Sequence, residues 1–529
     1  MRFRIITIAA FSMLANLALA QNETDVFRFS QTYMKGSARF TAMGGAFGAL
    51  GGDISSFMIN PAGVGVYRSS EFTFSTGIFN SNIKTEFNGT KTFDNHTSVN
   101  IGNTGIVLPL YSNASTPIKN FNIGIAYNRV NDYNMNSALY ALNNKNSMLD
   151  FINEWSFGLK TWAIKGNFRD LDILDWRSKL AYETQLLEPK DNNNPDNTEY
   201  YIPLNKGDLV YQNQWNEVRG FNDLINITFG GNAMDVVYFG GSFNITNINF
   251  HSVNTISESA QKQNTFNFDF FNYDQIYNAY GTGYSLSLGV ILKPIQEIRI
   301  GVSYQSPTWT FIDQDYFAFM NSNFNTKGSE TPSAEFSYRI NSPQRLTGSI
   351  AAVLGKFAII SADFDWINYN NMKLVLDRDL RNNENKVNNI IKDNYKNSFN
   401  YRFGAEFKLD NNFSLRGGYQ YYQNPTKKGL VSDHPYNFFA IGNKNSLFSD
   451  LDNNTPTQVY STGIGYRARS FFIDFAYSLT KFKNNYSLYD FYEKGTDSQN
   501  NPYEIDIYSG TATQNINKNA YILTVGFKF

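Results

Sequence analysis

The last nine residues constrain this chain more than any other stretch. Tyr521, Leu523, Val525, Phe527 and Phe529 alternate with Ile522, Thr524, Gly526 and Lys528. Successive strand side chains point to opposite faces, so one face is apolar and aromatic and the other small or polar, Ile522 excepted. The same period recurs upstream. Tyr284, Leu286, Leu288, Val290 and Leu292 alternate with Ser285, Ser287, Gly289 and one further exception, Ile291. Ile298–Tyr304, Phe121–Tyr127, Tyr401–Leu409 and Phe471–Tyr477 follow suit. A soluble sandwich and a membrane barrel both produce such strands locally, so their arrangement must decide.

Strands are predicted near 71–80, 98–111, 119–130, 220–231, 235–250, 279–292, 297–308, 342–354, 357–369, 399–410, 413–424, 457–467, 470–481 and 520–529, fourteen in all. Short connections such as Gly355-Lys356 and Asn411-Asn412 alternate with long polar ones at 81–97, 131–219, 251–278, 309–341, 370–398, 425–456 and 482–518. An even strand number with tight turns at one rim and long loops at the other is the outer-membrane plan. A sandwich has no reason to sort its loops by length. The expected fold is all-β: a 14-stranded antiparallel transmembrane β-barrel over residues 71–529. Its final strand, ending at Phe529, resembles the signal read by outer-membrane assembly machinery.

The N-terminus agrees. Arg2 and Arg4 precede an apolar stretch from Ile5 to Leu19, and Ala18-Leu19-Ala20 supplies small residues at a cleavage site. Residues 1–20 read as a secretory signal peptide, with Gln21 as the first mature residue. With 0 Cys in the chain there is no lipid attachment, disulfide or thiolate metal site. Charged residues make up only 17%, against roughly 25% in soluble domains. A net charge of −1 argues against a nucleic-acid partner. No later run reaches the roughly 20 apolar residues of a spanning helix.

Residues 21–70 break the alternation. Gly44-Gly45-Ala46-Phe47-Gly48 leads to Gly51-Gly52, and Asn60-Pro61-Ala62-Gly63 follows. Asp53 is placed to cap a short helical turn, and Pro61 biases Asn60 away from helical geometry. The glycines lack the Gly-Lys-Ser/Thr ending of a phosphate loop. Close backbone packing inside a confined lumen accounts for them better.

This segment resembles the FadL/TodX family of outer-membrane transporters for long-chain fatty acids and related hydrophobic compounds. The residues that carry the likeness are Ser37-Ala38-Arg39, Met43-Gly44-Gly45-Ala46 and Asn60-Pro61-Ala62-Gly63. The layout matches throughout the mature chain, while the specific motif lies in residues 21–70; Gly281-Thr282-Gly283 and Ser306-Pro307-Thr308-Trp309 also look familial. The resemblance implies an N-terminal hatch inside the barrel, with Asn60, Pro61, Ala62, Gly63, Gly44 and Gly45 in its gating motif. It implies passive movement of a hydrophobic ligand from an exterior groove to a lumen pocket and out through a lateral gap. The partners so implied are that ligand, outer-membrane lipid and lipopolysaccharide, and the assembly machinery, with no cofactor.

Two sets of residues are ligand candidates. In loop 131–219, Met148, Leu149, Phe151, Ile152 and Trp155 recur at near-helical spacing. They offer either an apolar exterior surface or the means to fold the loop onto the rim. Arg299, Arg402 and Arg416 are lumen-facing by alternation and suited to a carboxylate. Glu406, Asp363, Asp365 and Asp474 share that face, so ion pairing outweighs ligand binding for any single arginine.

Other functions find less support. His96, His251 and His434 fall in or beside predicted loops at no metal-ligand spacing. There is no Gly-x-Ser-x-Gly elbow for a lipase. The chain is not expected to be an enzyme, to carry a catalytic residue or to bind a metal. A general porin, a structural barrel, or a protein for haem or aromatic-hydrocarbon uptake is the alternative.

Overall fold

The computed structural model describes residues 23–143, 145–205, 207–376, 381–427, 455–496 and 502–529. The signal peptide of residues 1–20 and His434 lie outside them. Fourteen strands close into one barrel: β1 Glu71–Phe87, β2 Thr90–Ser112, β3 Ile118–Asp132 continued by Met135–Asn143, β4 Val210–Ala233, β5 Val237–Ala260 and β6 Phe270–Leu292. They continue with β7 Ile298–Gln305 and Trp309–Ser322, β8 Ala334–Asn341 and Arg345–Leu354, and β9 Ala358–Ile367 and Lys373–Val375. The last five are β10 Ser398–Lys408, β11 Phe413–Tyr422, β12 Thr457–Arg467, β13 Phe471–Ser487 and β14 Thr511–Lys528. Each pairs antiparallel with its chain neighbours. Closure runs from Glu71 opposite Lys528 to Phe87 opposite Ala512. It satisfies the edge N–H and C=O groups that lipid cannot.

Proline accounts for two interruptions, since it has no N–H to give to a ladder. β7 breaks at Ser306-Pro307-Thr308 and β8 at Ser342-Pro343-Gln344. The breaks are tied together: Ser342 N donates to Thr308 O at 3.0 Å and Thr308 N to Ser342 Oγ at 2.9 Å.

The alternation sorts as expected. On β6, Tyr284, Leu286, Leu288, Val290 and Leu292 are exposed on the outer wall, while Ser285, Ser287 and Gly289 face inward. The two exceptions have a cause. Ile291 packs on Ala62 and Val66, and Ile522 on Ala38 and Ala42. Both are lumen-facing residues that meet an apolar patch of the N-terminal segment.

The connections depart from expectation at one rim. Residues 81–97 are not a long loop: β1 and β2 continue to a two-residue turn at Asn88-Gly89, with φ of 44° and 81°. Positive φ at both positions suits the twist of a hairpin. Likewise 251–278 shrinks to 261–269 because β5 and β6 run on. β5 has 24 residues, whereas about 9–11 cross a bilayer, so these strands project well beyond the membrane. His96 and His251 consequently sit on strands.

In predicted loop 131–219 lie α3 Met148–Ser156, α4 Thr161–Lys165 and α5 Trp176–Glu183. A Ser147–Asp150 capping box starts α3. Met148, Leu149, Phe151, Ile152, Leu180 and Leu186 form a buried core with the Asp490–Thr496 and Pro502–Tyr508 hairpin, making a cap on the outer end.

Candidate functional site

Residues 23–67 fill the lumen. They hold α1 Glu23–Ser30, α2 Ala38–Ala42 and two 3-10 turns, Ile54–Met58 and Pro61–Val66. Each turn is capped by a short polar side chain, which satisfies N–H groups left free at a helix start. Ser37 Oγ accepts from Phe40 N and donates to Asp53 Oδ2 at 2.7 Å. Asp53 Oδ1 accepts from Ser55 N at 3.0 Å, and Asn60 Oδ1 from Ala62 N at 3.0 Å.

The Asn-Pro-Ala-Gly segment is pressed onto the wall. Asn60 Nδ2 donates to Gly48 O at 2.7 Å and to Val290 O at 3.2 Å, so it joins the glycine-rich loop to β6. A Cβ at Gly289 would lie 2.0 Å from Asn60 Oδ1, and one at Gly240 2.5 Å from Pro61 O. Further round, a Cβ at Gly418 would stand 2.1 Å from Gly44 N, and one at Gly301 2.3 Å from Gly48 O. Glycine is thus required on both surfaces. The wall half of this fit, Gly240, Gly289, Gly301, Gly404 and Gly418, was missed from sequence although alternation placed these residues on the lumen face. Gly44 (φ 58°) and Gly45 (φ 65°) also sit in left-handed backbone. Wall asparagines complete the seat: Asn122 Nδ2 donates to Val64 O at 2.7 Å and Asn120 Nδ2 to Tyr67 O at 2.6 Å.

Two of the three candidate arginines are engaged by carboxylates. Arg402 is fully buried between Asp365, which takes both Nη atoms, and Asp363 at 3.3 Å. Arg416 bonds Glu406 and Asp474, each at 2.6 Å. Arg39 of α2 shares Glu406 at 2.9 Å and so ties hatch to wall. Arg299 donates to Leu50 O at 2.7 Å and has an unpartnered, buried Nε. The structure does not bring these arginines into one site. Phe151 is fully buried in the cap core, and Trp155 packs against that core with its indole N–H on Asp175 at 3.1 Å. The Arg177 guanidinium lies over both rings, 5.3 and 4.6 Å from their centroids.

The wall itself is incomplete at one place. β2 and β3 pair from Ser112 opposite Asn120 up to Asn103 opposite Asn128, and no higher. Above that pair the backbone of β2 bonds only β1, with a single side-chain bond from Asn100 Nδ2 to Asp132 Oδ2 at 2.8 Å spanning to β3, while β3 remains with β4 and bends at Tyr133-Asn134. Beyond the bend its continuation lies against β1 and β2. Side chains replace the ladder there: Asp94 accepts from Ala138 N at 2.8 Å and Thr92 Oγ1 donates to Ala138 O. Between the lower ladder and this clasp is a gap bordered by residues 97–102 and 129–134.

The hatch reaches into that gap. Tyr33 N donates to Val130 O at 3.2 Å, replacing a bond that β2 would make. On the other side a Cβ at Gly102 would be 4.0 Å from Gly36 O. A cavity of about 50 Å³ adjoins it, lined by Phe29, Met34, Met58, Val130, Leu224 and Arg345 among others. On the outer wall Arg129 pairs with Asp223 at 2.9 Å, and Tyr127 donates to the same carboxylate at 2.8 Å. An ion pair facing hydrocarbon is costly, which sets the outer edge of the gap near a membrane surface. Nothing in the sequence marks the bend, because Tyr133-Asn134 contains neither Gly nor Pro.

Comparison with known proteins places these features. Residues 224–434 match the sequence model of the outer membrane protein transport protein family (OMPP1/FadL/TodX). A Pseudomonas aeruginosa FadL homologue has the same fold at 12% identity and a TM-score of 0.51, over 94% of this chain and 100% of that one. The Pseudomonas putida toluene transporter TodX aligns at 12% identity with a TM-score of 0.49, over 94% and 99%. No curated protein sequence matches the chain. The family's sequence signature over residues 224–434 thus lies within a hatch-filled, fourteen-stranded outer-membrane barrel of the fold seen in the FadL homologue.

Proposed function

We propose that this protein carries hydrophobic small molecules, such as long-chain fatty acids, passively across the outer membrane and releases them sideways between β2 and β3. The observation that carries this reading is the end of the β2–β3 ladder at Asn103–Asn128, where the hatch segment Tyr33–Gly36 takes the place of a strand. An axial route is obstructed by the hatch, whose residues 38–65 are nearly all buried against the wall. That argues against a general porin. Beside the cavity, Val26 and Phe29 of α1 pack among Tyr133, Phe250, Tyr277 and Tyr338, an apolar cluster inside the lumen that an acyl chain would enter by displacing α1. Each CH₂ buried there contributes about 0.8 kcal/mol, so an acyl chain accumulates without an energy source. The family model matched by residues 224–434 describes transport proteins, which supports transport over an enzyme reading. Asn60, Pro61 and the hatch glycines are assigned the gating role in this scheme.

Deleting Tyr133 and Asn134 tests the route, because a two-residue deletion preserves the alternation of β3 while removing its bend. Cells with normal surface levels of this variant are expected to lose uptake of labelled fatty acid. Unchanged uptake would mean that the ligand leaves elsewhere.

A further inference from the structure

The outer wall carries a groove that lies away from the lumen and the hatch. Along β6 every outward position holds a large side chain, from Tyr284 to Leu292. Across β8 to β11 the outward positions shrink to Ala352, Ala362, Ala405 and Gly417. Register sets them side by side: Ala352 opposes Ile360, Ile360 opposes Ala405, and Ala405 opposes Gly417. Nothing lies within 4 Å of the position a Cβ would take at Gly417. Ile298, Ile350, Ile360, Phe403 and Tyr419 stand around this floor and leave a groove of about 420 Å³. Ala352 and Ile360 each lie four residues from Lys356, in a tight turn of the rim that faces the periplasm in such a barrel. Lys408 adjoins that turn, its N donating to Phe357 O at 2.8 Å, and both lysines are exposed. Neither ammonium has a hydrogen bond or ion pair among the described residues. Of the neighbouring charges, Asp410 Oδ1 is taken by Asn412 N and Phe413 N, each at 2.7 Å. Lys293 and Glu297, on the next turn, carry one charge of each sign. Phe357 and Leu409 are strongly exposed beside the lysines. Apolar bodies next to free ammonium groups suit the boundary between hydrocarbon and headgroups.

We infer that this groove seats one acyl chain of an anionic phospholipid of the periplasmic leaflet, with the phosphate held at Lys356 and Lys408. The wall here faces hydrocarbon, and a tail lying in the groove regains the dispersion contacts that a void forfeits. The sign of the headgroup follows from the two uncompensated lysines. Charge-assisted bonds from ammonium to phosphate are shorter and stronger than neutral ones. A second groove, of about 490 Å³, lies between Phe121, Phe229, Phe239 and Leu288. The turn at its foot, 234–236, carries Asp235 in place of a lysine. A tail binds there without choice of headgroup. The lipid site lies off the transport route and does not depend on a lateral exit.

The test titrates full-length protein in a non-ionic detergent with dioleoyl phosphatidylglycerol or dioleoyl phosphatidylethanolamine, read by native mass spectrometry. Wild type is expected to retain one phosphatidylglycerol at collision energies that strip the rest. Its preference over phosphatidylethanolamine is expected to be roughly fivefold per lysine, the worth of one basic residue at an anionic lipid surface. Gly417→Leu fills the floor and is expected to lose the retained lipid, whereas Gly241→Leu, on the second groove, keeps it. Lys356→Gln/Lys408→Gln is expected to bind the two lipids equally. Retention by Gly417→Leu equal to wild type, or a headgroup preference that survives loss of both lysines, would overturn the site. So would a dimer that Gly417→Leu dissociates, since the groove would then seat a second copy of the chain.

Discussion

Asn103 and Asn128 form the last cross-strand pair of the β2–β3 seam, with Asn103 Nδ2 donating to Asn128 Oδ1 at 2.7 Å and to Tyr127 O at 3.0 Å. Both side chains are buried, and Asn128 passes the chain of bonds on to Asn226. The seam below them is a ladder with one register shift between Pro109 and Tyr111, and above them the wall is held by hatch and side chains. Asn103 is therefore where the gap stops.

Asn103→Ala removes two buried bonds and strands an acceptor on Asn128. A loss of about 1–3 kcal/mol is expected, measured by urea unfolding in lipid bilayers. The loss should come with faster hydrogen exchange along residues 103–108 while β7–β10 keep their protection. An unchanged exchange rate at the seam would show that the pair does not hold it.

The Arg416 guanidinium joins Glu406 to Asp474, and Arg39 reaches Glu406 from the hatch. Arg416→Met leaves the buried Asp474 carboxylate without its partner and Glu406 with Arg39 alone, and breaking such a buried pair costs about 3–5 kcal/mol. Arg39→Met is expected to cost less, since Arg416 still neutralises Glu406, and to free the hatch selectively. Limited proteolysis separates the two outcomes: Arg39→Met exposes cleavage sites within residues 23–67 of an intact barrel, whereas Arg416→Met lowers the unfolding midpoint of the whole chain.

The sequence carried the barrel because lipid and lumen demand opposite side chains on alternate residues, as at Tyr284–Leu292. Its two exceptions, Ile291 and Ile522, mark hatch contacts. The signal fades where strands leave the membrane, since both faces are then wet. Thr90–Ser98 is strand but reads as polar loop for that reason. The hatch motif was legible, and its complement was within reach, since Gly240, Gly289, Gly301, Gly404 and Gly418 all fall on lumen positions.

Gly289 measures the fit of the hatch. Gly289→Ala places a methyl 2.0 Å from Asn60 Oδ1, whereas Gly417, with nothing within 4 Å of its Cβ position, tolerates alanine. Gly289→Ala and Asn60→Ala are expected to impair fatty-acid uptake at normal surface abundance, and Gly417→Ala to leave it unchanged. Normal uptake by the first two would remove the gating role of the Asn-Pro-Ala-Gly segment.

The cap titrates. Burial pushes the Asp175 carboxyl up to about 6, although the Trp155 indole N–H stabilises its charged form. Its unfolded value is about 3.9, so the folded cap binds more protons between these values. Its stability is therefore full below about pH 4 and falls as pH rises through about 6. Amides of Trp176–Glu183, corrected for intrinsic rate, are expected to be better protected at pH 5 than at pH 7.5. Asp175→Asn, which still accepts from Trp155, should remove the difference, and a difference that persists would place its origin elsewhere.

The side exit is tested most directly by a long-chain fatty acid bearing a diazirine beside its carboxylate, photolysed in the purified protein and mapped by mass spectrometry. The predicted adducts fall on residues 33–36, 96–102 and 129–134, the three segments that meet at the gap. Adducts confined to the turns at 234–236 and 293–297, with none on β2 or β3, would mean that the ligand leaves along the barrel axis and would contradict the lateral route.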